Sequence, residues 1–83
     1  MEEQKEQMRA FGQRVRELRL ARGVSQEELA LHCQVDRSYM GQVERGERNI
    51  SLGNIHKIAR GLDVPAHELL MPLGSVHSIQ KIE

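Results

Sequence analysis

Residues 25–46 read SQEELALHCQVDRSYMGQVERG, and this stretch decides the fold. Ser25 followed three positions later by Glu28 is a capping box, so a helix starts there. Leu29, Ala30 and Cys33 form its apolar side. Gln34-Val35 is a turn, Asp36 is an N-cap candidate, and a next helix is expected over 37–45, ended by Gly46. Two short helices that cross steeply must bury small and aliphatic residues between them. Ala30 suits the crossing, and Val35, Met40 and Val43 supply the shared core, with Tyr39 beside them.

The opposite face of the second of these helices carries Arg37, Ser38, Gly41, Gln42 and Arg45. The offsets 37→41, 38→42 and 41→45 are all i+4, which predicts one exposed stripe. Arg and Gln can make bidentate hydrogen bonds to base edges, and glycine permits close approach of the backbone. A helix fits the major groove, where the donor and acceptor pattern distinguishes all base pairs. The stripe therefore points to double-stranded DNA.

Working outward, residues 1–7 carry no apolar face and are expected to be a flexible lead-in. An amphipathic helix is expected from Met8 to about Arg22, with Phe11, Val15, Leu18 and Arg22 on one side and Gly23 as its C-terminal cap. After a polar loop over 46–51, Ser51 caps a helix over 52–62 whose apolar side holds Leu52, Ile55, Ile58, Ala59 and Leu62. Pro65 opens a fifth short helix, roughly 66–71, with Leu69 and Leu70. The fold class is thus all-α, with five short helices in one domain over 8–71. The tail, 72–83, reads either as a further helical turn or as an extended arm serving dimerisation.

Composition narrows the function. A chain of 83 residues is one small domain. It buries only about 60–65% of the surface that its unfolded form exposes. With one Phe, one Tyr and no Trp, its core must be aliphatic. The single cysteine, Cys33, permits no internal disulfide and reads as buried core. Small domains without a staple gain stability by self-association, so a homodimer is expected. The four histidines are dispersed and no Cys/His set has zinc spacing, so neither metal nor cofactor is expected. No Ser/His/Asp set, phosphate loop or carboxylate pair suggests an enzyme. No apolar run or signal sequence is present, so a cytoplasmic protein without membrane contact is expected. Net charge is zero, yet residues 36–60 hold Arg37, Arg45, Arg48, Lys57 and Arg60 against Asp36, Glu44 and Glu47. The positive part of the chain coincides with the proposed contact surface.

The segment resembles the helix-turn-helix of the phage-repressor and Cro-like (Xre) family. The matching positions are Gln26, Leu29-Ala30, Val35, Met40, Val43 and Glu44-Arg45-Gly46, with flanks RELRLARGVSQEELA and SLGNIHKIARGLDVPAHELL. The match covers about residues 10–70, and DRSYMGQVERGERN is most similar to small controller proteins of restriction–modification systems. The resemblance implies a lambda-repressor-like domain that regulates transcription, as repressor or activator, usually of its own gene. It implies base contacts from Arg37, Ser38 and Gln42, and phosphate contacts from Gln26, Tyr39, Arg48 and Asn49. Arg45 either touches a phosphate or caps its helix. Arg19 and Glu44 match a salt-bridging pair between the first and third helices. The chain departs from the family at Gln34, where glycine is usual in a left-handed turn; a side chain there costs roughly 1–2 kcal/mol.

One helix reads too few bases for a unique site, so a two-fold dimer on a palindrome is expected, with half-sites about one helical turn apart. The apolar residues that the helix-turn-helix core leaves over are Val64, Leu69, Leu70, Met71, Leu73, Val76 and Ile79, together with Ile82. The dimer interface is placed there. A chain this small would activate only through a surface patch touching RNA polymerase. The competing reading is a protein-interaction module of the same fold, such as the antitoxin partner of a toxin.

Overall fold

The computed structural model describes residues 2–75. Among the described residues there are four α-helices: α1 (Glu2–Ala21), α2 (Gln26–Cys33), α3 (Arg37–Glu44) and α4 (Leu52–Leu62). A 3₁₀ turn, Ala66–Leu70, follows. The described residues contain no strand.

Helix α1 starts at Glu2, not Met8, so the expected lead-in is helical from its second residue. Nothing in EEQKEQ breaks a helix, and Glu2 and Glu3 in the first turn complement the positive end of the helix dipole. The helix closes at Gly23, with φ 72°, in a Schellman arrangement: Val24 N–H donates to Arg19 O and Gly23 N–H to Leu20 O. Ser25 and Glu28 form both halves of the capping box on α2, at 3.0 and 2.9 Å. Ser51 Oγ accepts from Asn54 N–H at 3.1 Å and caps α4. Asp36 occupies the N-cap position of α3, but its side chain makes no capping bond. Gln34 adopts the left-handed conformation, φ 60° and ψ 43°, so the turn keeps the geometry that glycine would favour.

Helices α2 and α3 lie against each other, α4 backs α2, and α1 crosses α3 and the 3₁₀ turn. The shared core comprises Phe11, Val15, Leu29, Ala30, Cys33, Met40, Val43, Ile58, Ala59, Leu62 and Leu69. Burying each Leu or Ile there stabilises the fold by about 1.5–3 kcal/mol. Four expectations need correction. Helix α3 ends at Glu44 with Arg45 as its C-cap, and the fifth element is 3₁₀ and ends at Leu70. Leu52, placed on the apolar side of α4, is exposed. Leu69, assigned to the dimer interface, is wholly buried in the protomer's own core.

Two buried ion pairs lock the helices. Arg19 Nε donates to Glu44 Oε2 at 2.7 Å and Nη2 to Oε1 at 3.1 Å, while Nη1 reaches Val24 O. Gln26 Nε2 adds a third bond to Glu44 Oε1 at 3.0 Å, so α1, the start of α2 and the end of α3 meet at one carboxylate. Arg14, which sequence reading passed over, is 1% exposed. It donates from Nε to Glu68 O at 2.7 Å and from Nη2 to Glu68 Oε1 at 3.0 Å, which fastens the 3₁₀ turn to α1. Its Nη1 also bonds Glu17 and Ser75 O. Buried pairs of this kind contribute little net stability over an apolar core, but breaking one partner is costly. Here the Arg19–Glu44 pair ties the end of α3 to α1, and the Arg14–Glu68 pair ties the 3₁₀ turn to it.

Candidate nucleic-acid interface

Arg37 and Ser38 stand exposed in the first turn of α3. Arg37 makes no hydrogen bond or ion pair among the described residues, so its guanidinium is available for a bidentate partner. One turn on, Gln42 lies half-buried on the same side. Gly41 departs from the expected stripe. It is buried, and a side chain on it would meet the Arg45 guanidinium and, next, the Gln26 amide. The outward edge of α3 therefore comprises Arg37, Ser38 and Gln42, while Gly41 lies under the Arg45 side chain.

The flanking residues fall into two groups. Tyr39 is partly buried, and its hydroxyl accepts from Asn54 Nδ2 at 2.9 Å. The Arg48 guanidinium lies 5.0 Å from the centre of the Tyr39 ring, and Arg48 Nε donates to Gln42 Oε1 at 2.8 Å. Together with Gln34, Ser38 and Lys57 these side chains line one open groove beside α3. On the other side, Gln26 Nε2 donates one bond to Glu44, and Arg45 pairs with Glu47 at 3.0 Å. Their mutual hydrogen bond holds the Glu47 carboxyl below its ordinary range and Arg45 above its own. Both side chains are more than half exposed, so this pair is screened by solvent and a phosphate can compete for Arg45. Asn49 is exposed in the loop between α3 and α4.

Asn54 was missed from the sequence, whereas Lys57 was counted there only as part of the positive stretch. Asn54 sits three residues after a helix cap, a position with no preference for DNA, and only the packing of α4 brings it to Tyr39. Of the expected dimer residues, Leu70 and Leu73 are exposed at 69% and 52%, Met71 is half-buried, and Val64 packs partly against the core. Val76 and Ile79 lie outside the described residues. Cys33 is buried, and burial pushes its thiol up to about 11. Among the described residues no cluster of His, Cys, Asp and Glu could hold a metal, and no helix is long and apolar enough to cross a membrane.

A short helix held across a partner by a tight turn, with Arg, Ser and Gln on its outer edge, defines a helix-turn-helix DNA-binding regulator. Comparison with known proteins agrees. A family model for a helix-turn-helix domain matches residues 10–70. The control protein C.BamHI of Bacillus amyloliquefaciens is 49% identical over 61 residues, which span 72% of this chain and 75% of that protein. The crystal structure of the restriction–modification controller protein C.AhdI from Aeromonas hydrophila superposes with a TM-score of 0.73 at 58% identity, over 75% of this chain and 94% of that one. A hypothetical transcription factor from Neisseria gives a TM-score of 0.76 at 44% identity, over 83% and 80%. The chain belongs to the helix-turn-helix family of transcriptional regulators, in the group that contains the restriction–modification controller proteins.

Proposed function

We propose that the protein acts as a homodimer on a palindromic operator in the cytoplasm, with Arg37, Ser38 and Gln42 reading bases and Arg48, Asn49, Tyr39, Gln26 and Arg45 gripping the backbone. The observation that carries this reading is the recognition edge itself: three side chains suited to base edges on one exposed side of α3, with cations on its flanks. Phosphate contacts supply affinity and salt dependence, and base contacts supply choice. A single module buries only about 600–1,000 Å² on DNA, so two copies are needed for a distinctive site. The exposed Leu70 and Leu73, beside the half-buried Met71, give a second copy an apolar surface to cover. The protein carries no catalytic role in this reading. Occupancy of a promoter suffices for repression, and activation requires a patch that touches RNA polymerase.

The test is a gel shift on the DNA upstream of the protein's own gene, across salt concentrations. A discrete complex at a palindromic site that survives excess competitor is expected. Arg37→Ala should then relax selection at one base pair of each half-site, whereas Arg48→Ala should weaken binding to every sequence and lower the salt slope by about 1. Weak, sequence-blind binding lost near physiological salt would instead favour a protein partner, as in an antitoxin.

A further inference from the structure

We infer that Arg48 sets which base Gln42 selects, by holding the Gln42 amide with its oxygen engaged and its NH₂ group turned away. The inference rests on the base-reading role given to α3. A guanidinium has donors only, so the amide atom facing it must be the oxygen, and the 2.8 Å bond from Arg48 Nε ends on Gln42 Oε1. Gln42 Nε2 makes no hydrogen bond among the described residues.

Arg48 is itself held in place. Its guanidinium lies over the Tyr39 ring at 5.0 Å, where the ring's negative face attracts it. The Tyr39 hydroxyl is bonded by Asn54 Nδ2 at 2.9 Å, and Asn54 belongs to the first turn of α4, which Ser51 caps. The amide of Gln42 is thus oriented from a different helix through Arg48, Tyr39 and Asn54. Only Nε of Arg48 is engaged among the described residues, so its terminal nitrogens remain for a phosphate. Arg48 can hold the backbone and orient Gln42 at the same time.

The consequence is specific. An unrestrained glutamine suits adenine, because its oxygen accepts from N6 while its nitrogen donates to N7. Arg48 takes one of the two lone pairs of the Gln42 oxygen and fixes the amide plane, so the NH₂ donor is the group left without a partner, which suits the acceptor edges of guanine (O6, N7) or thymine (O4). Arg48 is therefore a specificity-determining positioning residue. Lysine at this position keeps the charge for a phosphate, but it lacks the planar fork that stacks on Tyr39 and presents Nε–H to the amide.

The experiment selects from a pool of random-sequence duplexes with the wild type, Gln42→Ala and Arg48→Lys. Gln42→Ala identifies the base pair that Gln42 reads, as the position where preference is lost. The wild type should favour guanine or thymine there. Arg48→Lys should retain the wild-type salt slope while adenine gains about fivefold or more at that position alone, the size of one side-chain-to-base contact. An unchanged preference in Arg48→Lys, a wild-type preference for adenine, or no position altered by Gln42→Ala would overturn the inference. A wild type that selects no sequence at all would overturn the DNA-reading role beneath it, a result distinct from those three.

Discussion

Gly12 sits where α1 crosses the end of α3, and replacing it by alanine sets two effects of opposite sign against each other. In a helix interior, Gly→Ala stabilises by about 1 kcal/mol, because alanine loses less backbone freedom on folding. Against that, a Cβ on Gly12 would run into the carbonyl oxygens of Val43 and Glu44. These are main-chain atoms in the last turn of α3, so no side chain can rotate away and the helices must separate. Overpacking costs about 1–3 kcal/mol, and a backbone obstacle belongs at the upper end of that range. The net expectation for Gly12→Ala is a loss of about 2 kcal/mol. With a urea slope of about 1 kcal/mol per molar for a domain this small, the midpoint should fall by about 2 M. Gly53, in α4, has nothing within 4 Å of the same hypothetical atom, so Gly53→Ala should leave the midpoint unchanged or raise it. The assay is urea denaturation followed by circular dichroism on both variants and the wild type. A Gly12→Ala midpoint at or above wild type would refute the close α1–α3 approach. A fall of the same size in Gly53→Ala would show that the loss has nothing to do with that crossing.

Three further outcomes are expected. Gln34→Gly should raise stability by about 1 kcal/mol, since the position is left-handed and exposed; an unaltered melting temperature would argue against that turn geometry. Arg19→Ala should cost about 3–5 kcal/mol by leaving Glu44 buried with only the Gln26 amide, whereas Arg19→Met combined with Glu44→Leu should recover most of it; a single-variant loss under about 1 kcal/mol in chemical denaturation would contradict the pair's role. Cys33 makes stability fall with alkali: its thiol stays protonated in the fold up to about 11 but ionises from its ordinary 9.0 once unfolded, so the unfolded state releases the proton first. The contribution is complete below pH 9 and lost as pH rises to about 11, and the stability gap between wild type and Cys33→Ala should narrow across that window.

The sequence by itself determined what is local. The Ser25/Glu28 capping box, the Ser51 cap, the glycine after α1 and the helical spacing of Phe11 and Val15 (i, i+4) and of Met40 and Val43 (i, i+3) all act within a few residues, so α2, α4 and most of the core were legible without coordinates. The Arg37, Ser38 and Gln42 edge was legible for the same reason, as the side of α3 left over once its apolar side is assigned. What only the tertiary structure decided involves partners far apart in the chain. Arg14 lies among apolar neighbours at spacings of three and four from Phe11 and Leu18, a signal that it is buried, but nothing local names Glu68, 54 residues away, as its partner. Leu69 and Leu52 exchange their expected places because burial depends on which helix covers a face, and periodicity describes the face alone. Gly41 is covered by the Arg45 side chain, with the Gln26 amide of α2 next. The chain of contacts from Asn54 through Tyr39 and Arg48 to Gln42 joins two helices and the loop between them, so it exists only once packing has set their distance and angle.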